Sequence, residues 1–189
     1  MTLRFTSEDH TRIAAAIREA ERETSGEIYA VFARRSDDHR FAGLAVALAL
    51  SLVTGFLVSL LAFLAGVALP PLAVESAQLL AGLALFLAFR ASPRFAMLFV
   101  PRRLAQERAS RLARAQFLAH NLQDTAERTG VLLFVSEVER YAEVIADEGI
   151  AALVPQSEWD EIVEQLVAAA RVDRLVEGFE EAVRGTGAL

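Results

Sequence analysis

The stretch FAGLAVALALSLVTGFLVSLLAFLAGVALPPLAVESAQLLAGLALFLAF, residues 41–89, decides how the rest of the chain is read. Of its 49 residues 37 are apolar and one, Glu75, is charged. A run this long exceeds the roughly 20 apolar residues with which a helix spans a bilayer. The other 43 of the 44 charged residues share the remaining 140 positions of the 189-residue chain, a water-facing composition. Two kinds of sequence are joined, which argues against a purely soluble globule.

Residues Phe41 to Leu69 give 29 uncharged positions, about 43 Å as a helix, enough to cross a core of roughly 30 Å. Pro70-Pro71 is expected to stop that span. Leu72 to Phe89 adds 18 residues, about 27 Å, long enough to return. Arg34, Arg35 and Arg40 precede the first span; Arg90, Arg94, Arg102, Arg103, Arg108, Arg111 and Arg114 follow the second; the turn near 70–75 has no arginine. The positive-inside rule then puts both termini in the cytoplasm and Glu75 outside. A monotopic hairpin that never crosses is the alternative. The first 40 residues are charged throughout and do not read as a signal peptide.

In the first span Gly43, Ala47, Ser51, Gly55 and Ser59 recur every four residues, the spacing that lets helix backbones approach closely. A span this rich in small residues can also produce such a row by composition alone.

The flanking pieces, residues 1–40 and 101–189, read as one domain interrupted by the hairpin and its interfacial segment 90–100. Thr6 or Ser7 can cap a helix to about Thr24, with Ile13, Ile17 and Ala20 on one stripe and Gly26 at its stop. IYAVFA, from Ile28 to Ala33, reads as a strand covered on both faces, which needs sheet neighbours. Arg102 to Arg128 reads as a long helix with a stripe of Leu112, Ala115, Leu118 and Leu122, broken by Gly130. VLLFV, Val131 to Val135, and YAEVIA, Tyr141 to Ala146, read as a hairpin joined by SEVER. Two helices close the chain, one capped by Ser157 and carrying Trp159, Ile162, Val163, Leu166 and Val167, the other carrying Leu175, Val176, Phe179 and Val183. The expected fold class is α/β: a small mixed sheet sandwiched by helices and interrupted by a two-helix transmembrane hairpin.

Composition removes several chemistries. Without cysteine, disulfides, thiolate catalysis and Cys-ligated metals are excluded. All 19 basic residues are Arg, so a Schiff-base or P-loop lysine is excluded as well. The net charge of −6 gives no reason to expect nucleic acid, and no haem or nucleotide cofactor is expected.

RIAAAIREAERETSGEIYAVFA, followed by RTGVLLFVSEVERYAEVIADEGIAALV and a Trp-bearing helix, resembles the TPM domain, with TSGEI at Thr24 to Ile28 and RYAEVIAD at Arg140 to Asp147 the most specific stretches. It resembles the bacterial membrane branch of that family, in which a transmembrane hairpin follows the first strand, and that resemblance implies a bacterial inner membrane. The resemblance implies an accessory, assembly or repair subunit docked on a larger integral membrane protein complex. It also raises phosphatase activity and divalent-cation binding. The chain departs from many members at Asp147-Glu148-Gly149, where they have a Gly-aromatic-Gly turn.

Asp147 and Glu148 end a strand, where ligands collect in α/β folds, and Asp173 between the last two helices is a third candidate oxygen donor. Calcium or magnesium is the ion such oxygens would take. The competing reading makes Asp147 a helix cap. Asp37-Asp38-His39-Arg40 reads as a polar collar before the span rather than a metal site, and no GxSxG elbow is present. Arg102, Arg103, Arg108, Arg111 and Arg114 are placed to meet anionic lipid headgroups, or to set topology only. The reading is therefore a non-catalytic membrane-anchored subunit; the alternative is a membrane-tethered, divalent-metal-dependent phosphatase.

Overall fold

Strand β2 (Gly130–Ser136) is buried along its whole length. Val131, Leu133 and Val135 enter one core and Leu132 and Phe134 the other, the two-residue alternation of extended chain between two apolar layers. The computed structural model describes residues 5–22, 24–37, 40–92, 95, 97–125 and 127–189, the side chains of 40–42 excepted.

Strand β1 (Glu27–Ala33) lies parallel to β2, with Ile28 beside Val131 and Ala33 beside Ser136. Strand β3 (Tyr141–Ala146) lies antiparallel to β2 on its other side, so the sheet order is β1-β2-β3. Parallel neighbours cannot be joined by a tight turn. The connection between β1 and β2 accordingly contains the two apolar helices and the helix after them. β1 is an edge strand and not covered on both faces as expected: Glu27 and Tyr29 are exposed.

One face of the sheet is covered by α1 (Ser7–Ala20), α6 (Gln156–Arg171) and α7 (Leu175–Gly187), which contribute Ile13, Trp159, Ile162, Leu166, Phe179 and Val183. The other is covered by α4 (Arg102–Ala119) through Ala109, Ala113 and Phe117. This is the α/β sandwich around a small mixed sheet that the sequence predicts. A one-turn helix α5 (Glu148–Ala151) follows β3.

Several boundaries differ from the sequence reading. Helix α1 ends at Ala20 and its C-cap, Glu21, is right-handed, so Gly26 is not its stop. Glu21 instead accepts the Ile28 N–H at 3.0 Å, tying the helix end to β1. Helix α4 ends at Ala119 because Asn121 turns left-handed, φ 55°, ahead of a 3₁₀ turn at Leu122–Asp124. Its buried stripe is three alanines, Ala105, Ala109 and Ala113, with Phe117, while Leu118 is exposed. Pro155 precedes α6, and Ser157 lies inside its first turn without capping it.

The chain divides into two compact units, Met1–Asp37 with Ala105–Leu189, and Asp38–Leu104. The second unit holds α2 (Arg40–Leu64) and α3 (Pro71–Ala91). Within them, Gly43–Leu64 and Pro71–Ala91 are 22 and 21 residues of mean hydropathy 2.5 and 1.9, long and apolar enough to cross a membrane. The prolines do not stop the first helix. Gly66, at φ +68°, donates to the Phe63 carbonyl and Val67 to the Ala62 carbonyl, the paired bonds of a glycine C-terminal motif. Pro70 and Pro71 start the second helix, where a missing N–H costs nothing.

Candidate functional site

The end of β3 gathers two acids, Asp147 and Glu148, around Arg128. Asp147 is 7% exposed, and its N–H donates to the Gly130 carbonyl at 2.8 Å, which extends the β2–β3 ladder by one residue. Its Oδ1 accepts the Glu148 N–H at 2.7 Å, capping α5. The Arg128 guanidinium reaches the same Oδ1 at 3.4 Å and Glu148 Oε2 at 2.8 Å. The negative charge of Asp147 first, then that of Glu148, holds the Arg128 pKa above its ordinary value. Asp147 Oδ2 is buried and accepts no hydrogen bond among the described residues.

Two glycines bring Arg128 there. A Cβ on Gly149 would overlap the carbonyl oxygens of Glu127 and Arg128, so the loop before β2 crosses directly over the start of α5. A Cβ on Gly130 would overlap the Leu122 carbonyl, which presses the 3₁₀ turn against β2. The loop is closed by the Thr129 N–H donating to Thr125 Oγ1 at 2.9 Å, and Arg128 itself is left-handed, φ 55°.

Asp173 is not part of this cluster. It sits in the α6–α7 connection with φ 57° and lines an open cavity of about 250 Å³ with Phe5, Asp9, Arg12 and Val176. There Arg12 makes a two-pronged pair with Glu180, both bonds 3.0 Å.

The arginines of α4 have separate fates. Arg102, Arg103, Arg111 and Arg114 are exposed. Arg108 is half-buried in an ion pair with Asp37, which fastens α4 to the chain leaving β1. Asp38 and His39 of the polar collar, and Arg94, lie outside the described residues.

In the second unit, Gly43 packs on the Phe89 ring, Ala47 is buried, and Ser51 Oγ donates to the Gln78 carbonyl at 2.7 Å. Gly55 leaves the space that the Gln78 side chain fills. Ser59 is exposed.

Two polar clusters have no signature in the sequence. Ser36, Ser136 and Glu139 form a closed network where β1 ends: Ser36 Oγ donates to Ser136 Oγ at 2.8 Å, and Ser136 Oγ to Glu139 Oε2 at 2.5 Å. On the α4 face, Ser110 donates to Glu143 Oε1 at 3.2 Å, and burial, opposed by a hydrogen bond with Ser110, pushes the Tyr141 hydroxyl pKa up. Serines and a glutamate in a strand and its turn carry no spacing signal; only their three-dimensional convergence identifies them.

The TPM-domain family matches residues 84–189, from inside α3 to the end of the chain. The chain belongs to the TPM-domain family. The NMR structure of BA42 protein from the psychrophilic bacterium Bizionia argentinensis is similar in fold, with a TM-score of 0.56 at 16% identity, over 97% of this chain and 79% of that one. A search of curated proteins gives no match.

The divalent cation that the resemblance implies can be tested against this TPM domain's own donors. Calcium takes six to eight oxygens at 2.3–2.6 Å. Asp147 Oδ1 is committed to a backbone N–H and Arg128, Glu148 Oε2 is committed to Arg128, and Asp173 lies in another connection. Among the described residues no three His, Cys, Asp or Glu converge to hold an ion. The arginine largely neutralises the acid pair and leaves Asp147 Oδ2 unpaired, and among the described residues these donors do not make up the oxygen set that a resident divalent ion needs.

Proposed function

We propose that this chain is a membrane-anchored, non-catalytic accessory or assembly subunit, with a two-span hairpin inserted in a cytoplasmic TPM domain that docks on a larger integral membrane protein complex. The observation that carries this reading is the second unit. Its two helices bury only 11% and 6% of their most apolar windows, so their side chains need an apolar solvent from outside the chain. Their sequence is inserted between β1 and β2, strands that pair in parallel within the other unit. The resemblance to the bacterial membrane branch favours a bacterial inner membrane, and the arginine bias favours cytoplasmic termini. In that orientation Arg102, Arg103, Arg111 and Arg114 would meet anionic headgroups, each at about 1 kcal/mol near the surface.

The test is purification of the tagged full chain from membranes in mild detergent. The reading expects a stoichiometric set of integral membrane proteins to accompany it, and loss of that set when the hairpin is replaced by an unrelated pair of spans. A chain that purifies alone, and hydrolyses phosphomonoesters in a way abolished by Asp147→Asn with Glu148→Gln, would overturn it in favour of the phosphatase.

A further inference from the structure

We infer that Arg128 is a built-in cation for the Asp147–Glu148 pair: the guanidinium stands where a divalent ion would otherwise neutralise two adjacent carboxylates at the end of β3, and it keeps such an ion out. The two carboxylates are adjacent in sequence, one of them nine-tenths buried, and a buried carboxylate without a counter-charge is costly. The charge they need is supplied in cis by the loop before β2. That placement is built into the backbone. Gly149 removes the side chain that would hold the loop away, Thr125 and Thr129 close it, and left-handed Arg128 extends its guanidinium to both acids. A non-glycine residue pays strain in that conformation, and here the strain is offset by contacts to two carboxylates.

Asp147 Oδ2 gives the arrangement its unused capacity. It is buried and takes no hydrogen bond among the described residues, so the cluster retains one carboxylate oxygen that arginine does not satisfy. Removing the guanidinium would leave this oxygen, Oδ1 and the Glu148 carboxylate facing an uncompensated double negative charge. A hard cation such as calcium is the species that such oxygens bind. The arginine thus converts a cation-type site into a self-contained joint between the β2 loop and α5.

The experiment uses the full chain in detergent, with calcium chloride as the probe, read by calorimetric titration and by the melting temperature. Arg128→Gly removes the charge and suits the left-handed backbone; Arg128→Asn, which tolerates the same backbone, is the second variant; Arg128→Lys keeps the charge. The wild type and Arg128→Lys should take up no calcium at millimolar concentration. Arg128→Gly or Arg128→Asn should melt lower than the wild type, take up calcium at the millimolar concentration that the wild type ignores, and regain melting temperature as calcium is added. Adding Asp147→Asn to either should abolish that response. Calcium uptake by the wild type at the Asp147 site would overturn the inference. So would folded Arg128→Gly and Arg128→Asn variants that both ignore calcium.

Discussion

Glu139 holds the point at which the chain leaves the sheet for the apolar unit: its Oε1 accepts the Ser36 N–H at 3.0 Å, across 103 residues of sequence. The carboxylate is buried, and its other oxygen takes the Ser136 hydroxyl. The two segments of the α/β unit are therefore joined at the exit of β1 by polar bonds as well as by strand pairing. Glu139→Ala would leave the buried Ser136 hydroxyl and the half-buried Ser36 N–H without their acceptor, at about 1–3 kcal/mol for the buried one. Trp159 is the single tryptophan and is buried in the core of that unit, so its fluorescence reports the unit's unfolding in the intact chain. The expected result is a lower denaturant midpoint that corresponds to a loss of that size in unfolding free energy, with a smaller loss for Glu139→Gln.

Gly130→Ala tests the close crossing of the 3₁₀ turn over β2. A methyl group there meets the Leu122 backbone carbonyl, not a flexible side-chain tip, so the turn must move. A loss of about 1–3 kcal/mol is expected, as for overpacked cores, read from the same Trp159 transition.

Stability should depend on acid through Asp9. The Thr6 N–H and hydroxyl both donate to its carboxylate at 2.8 Å, and these bonds, the backbone one first, hold its pKa below the ordinary value of 3.8. A carboxyl whose folded pKa is depressed contributes stability above its unfolded pKa and loses it as pH falls through the folded one. Asp9→Ala should therefore melt lower than the wild type at neutral pH. The difference should shrink only as the pH falls below 3.8, as melting curves across an acid series would measure.

The packing of α2 against α3 is open to a crosslinking test. The Cβ position of Gly82 lies 3.6 Å from Ser51 Cβ, inside the range that a disulfide spans. The chain has no cysteine of its own, so Ser51→Cys with Gly82→Cys can be read without background. Oxidation in membranes should close the bond within one chain, seen as loss of both thiols to alkylation. Ser59→Cys, exposed on α2, should not crosslink with Gly82→Cys.

How far the sequence could be read follows from the physical signal that each part carries. VLLFV is buried on both faces and announced itself as an unbroken apolar run, and YAEVIA was found at its observed limits. The stripe of α4 was misplaced because apolar spacing favours leucines, whereas three of the four residues the helix buries are alanines. Gly66 carries a weaker sequence signal than Pro70-Pro71 beyond it, yet a glycine in the left-handed region stops a helix without a proline. At the candidate site, Asp147 and Glu148 were visible as acids after a strand. Arg128 was not, because it lies 19 residues from Asp147 and reaches it only through loop contacts at Gly130 and Gly149 that a sequence does not display.

The central claim, a hairpin that crosses the membrane twice from within a TPM domain, is tested most directly by thiol accessibility in intact spheroplasts. Single cysteines would be placed at Val67, in the turn between α2 and α3, and at Glu158, in the exposed first turn of α6. The account predicts that a membrane-impermeant maleimide labels the cysteine at 67 in intact cells and the cysteine at 158 only after lysis. Protection of both positions until lysis, or labelling of both from outside, would contradict it.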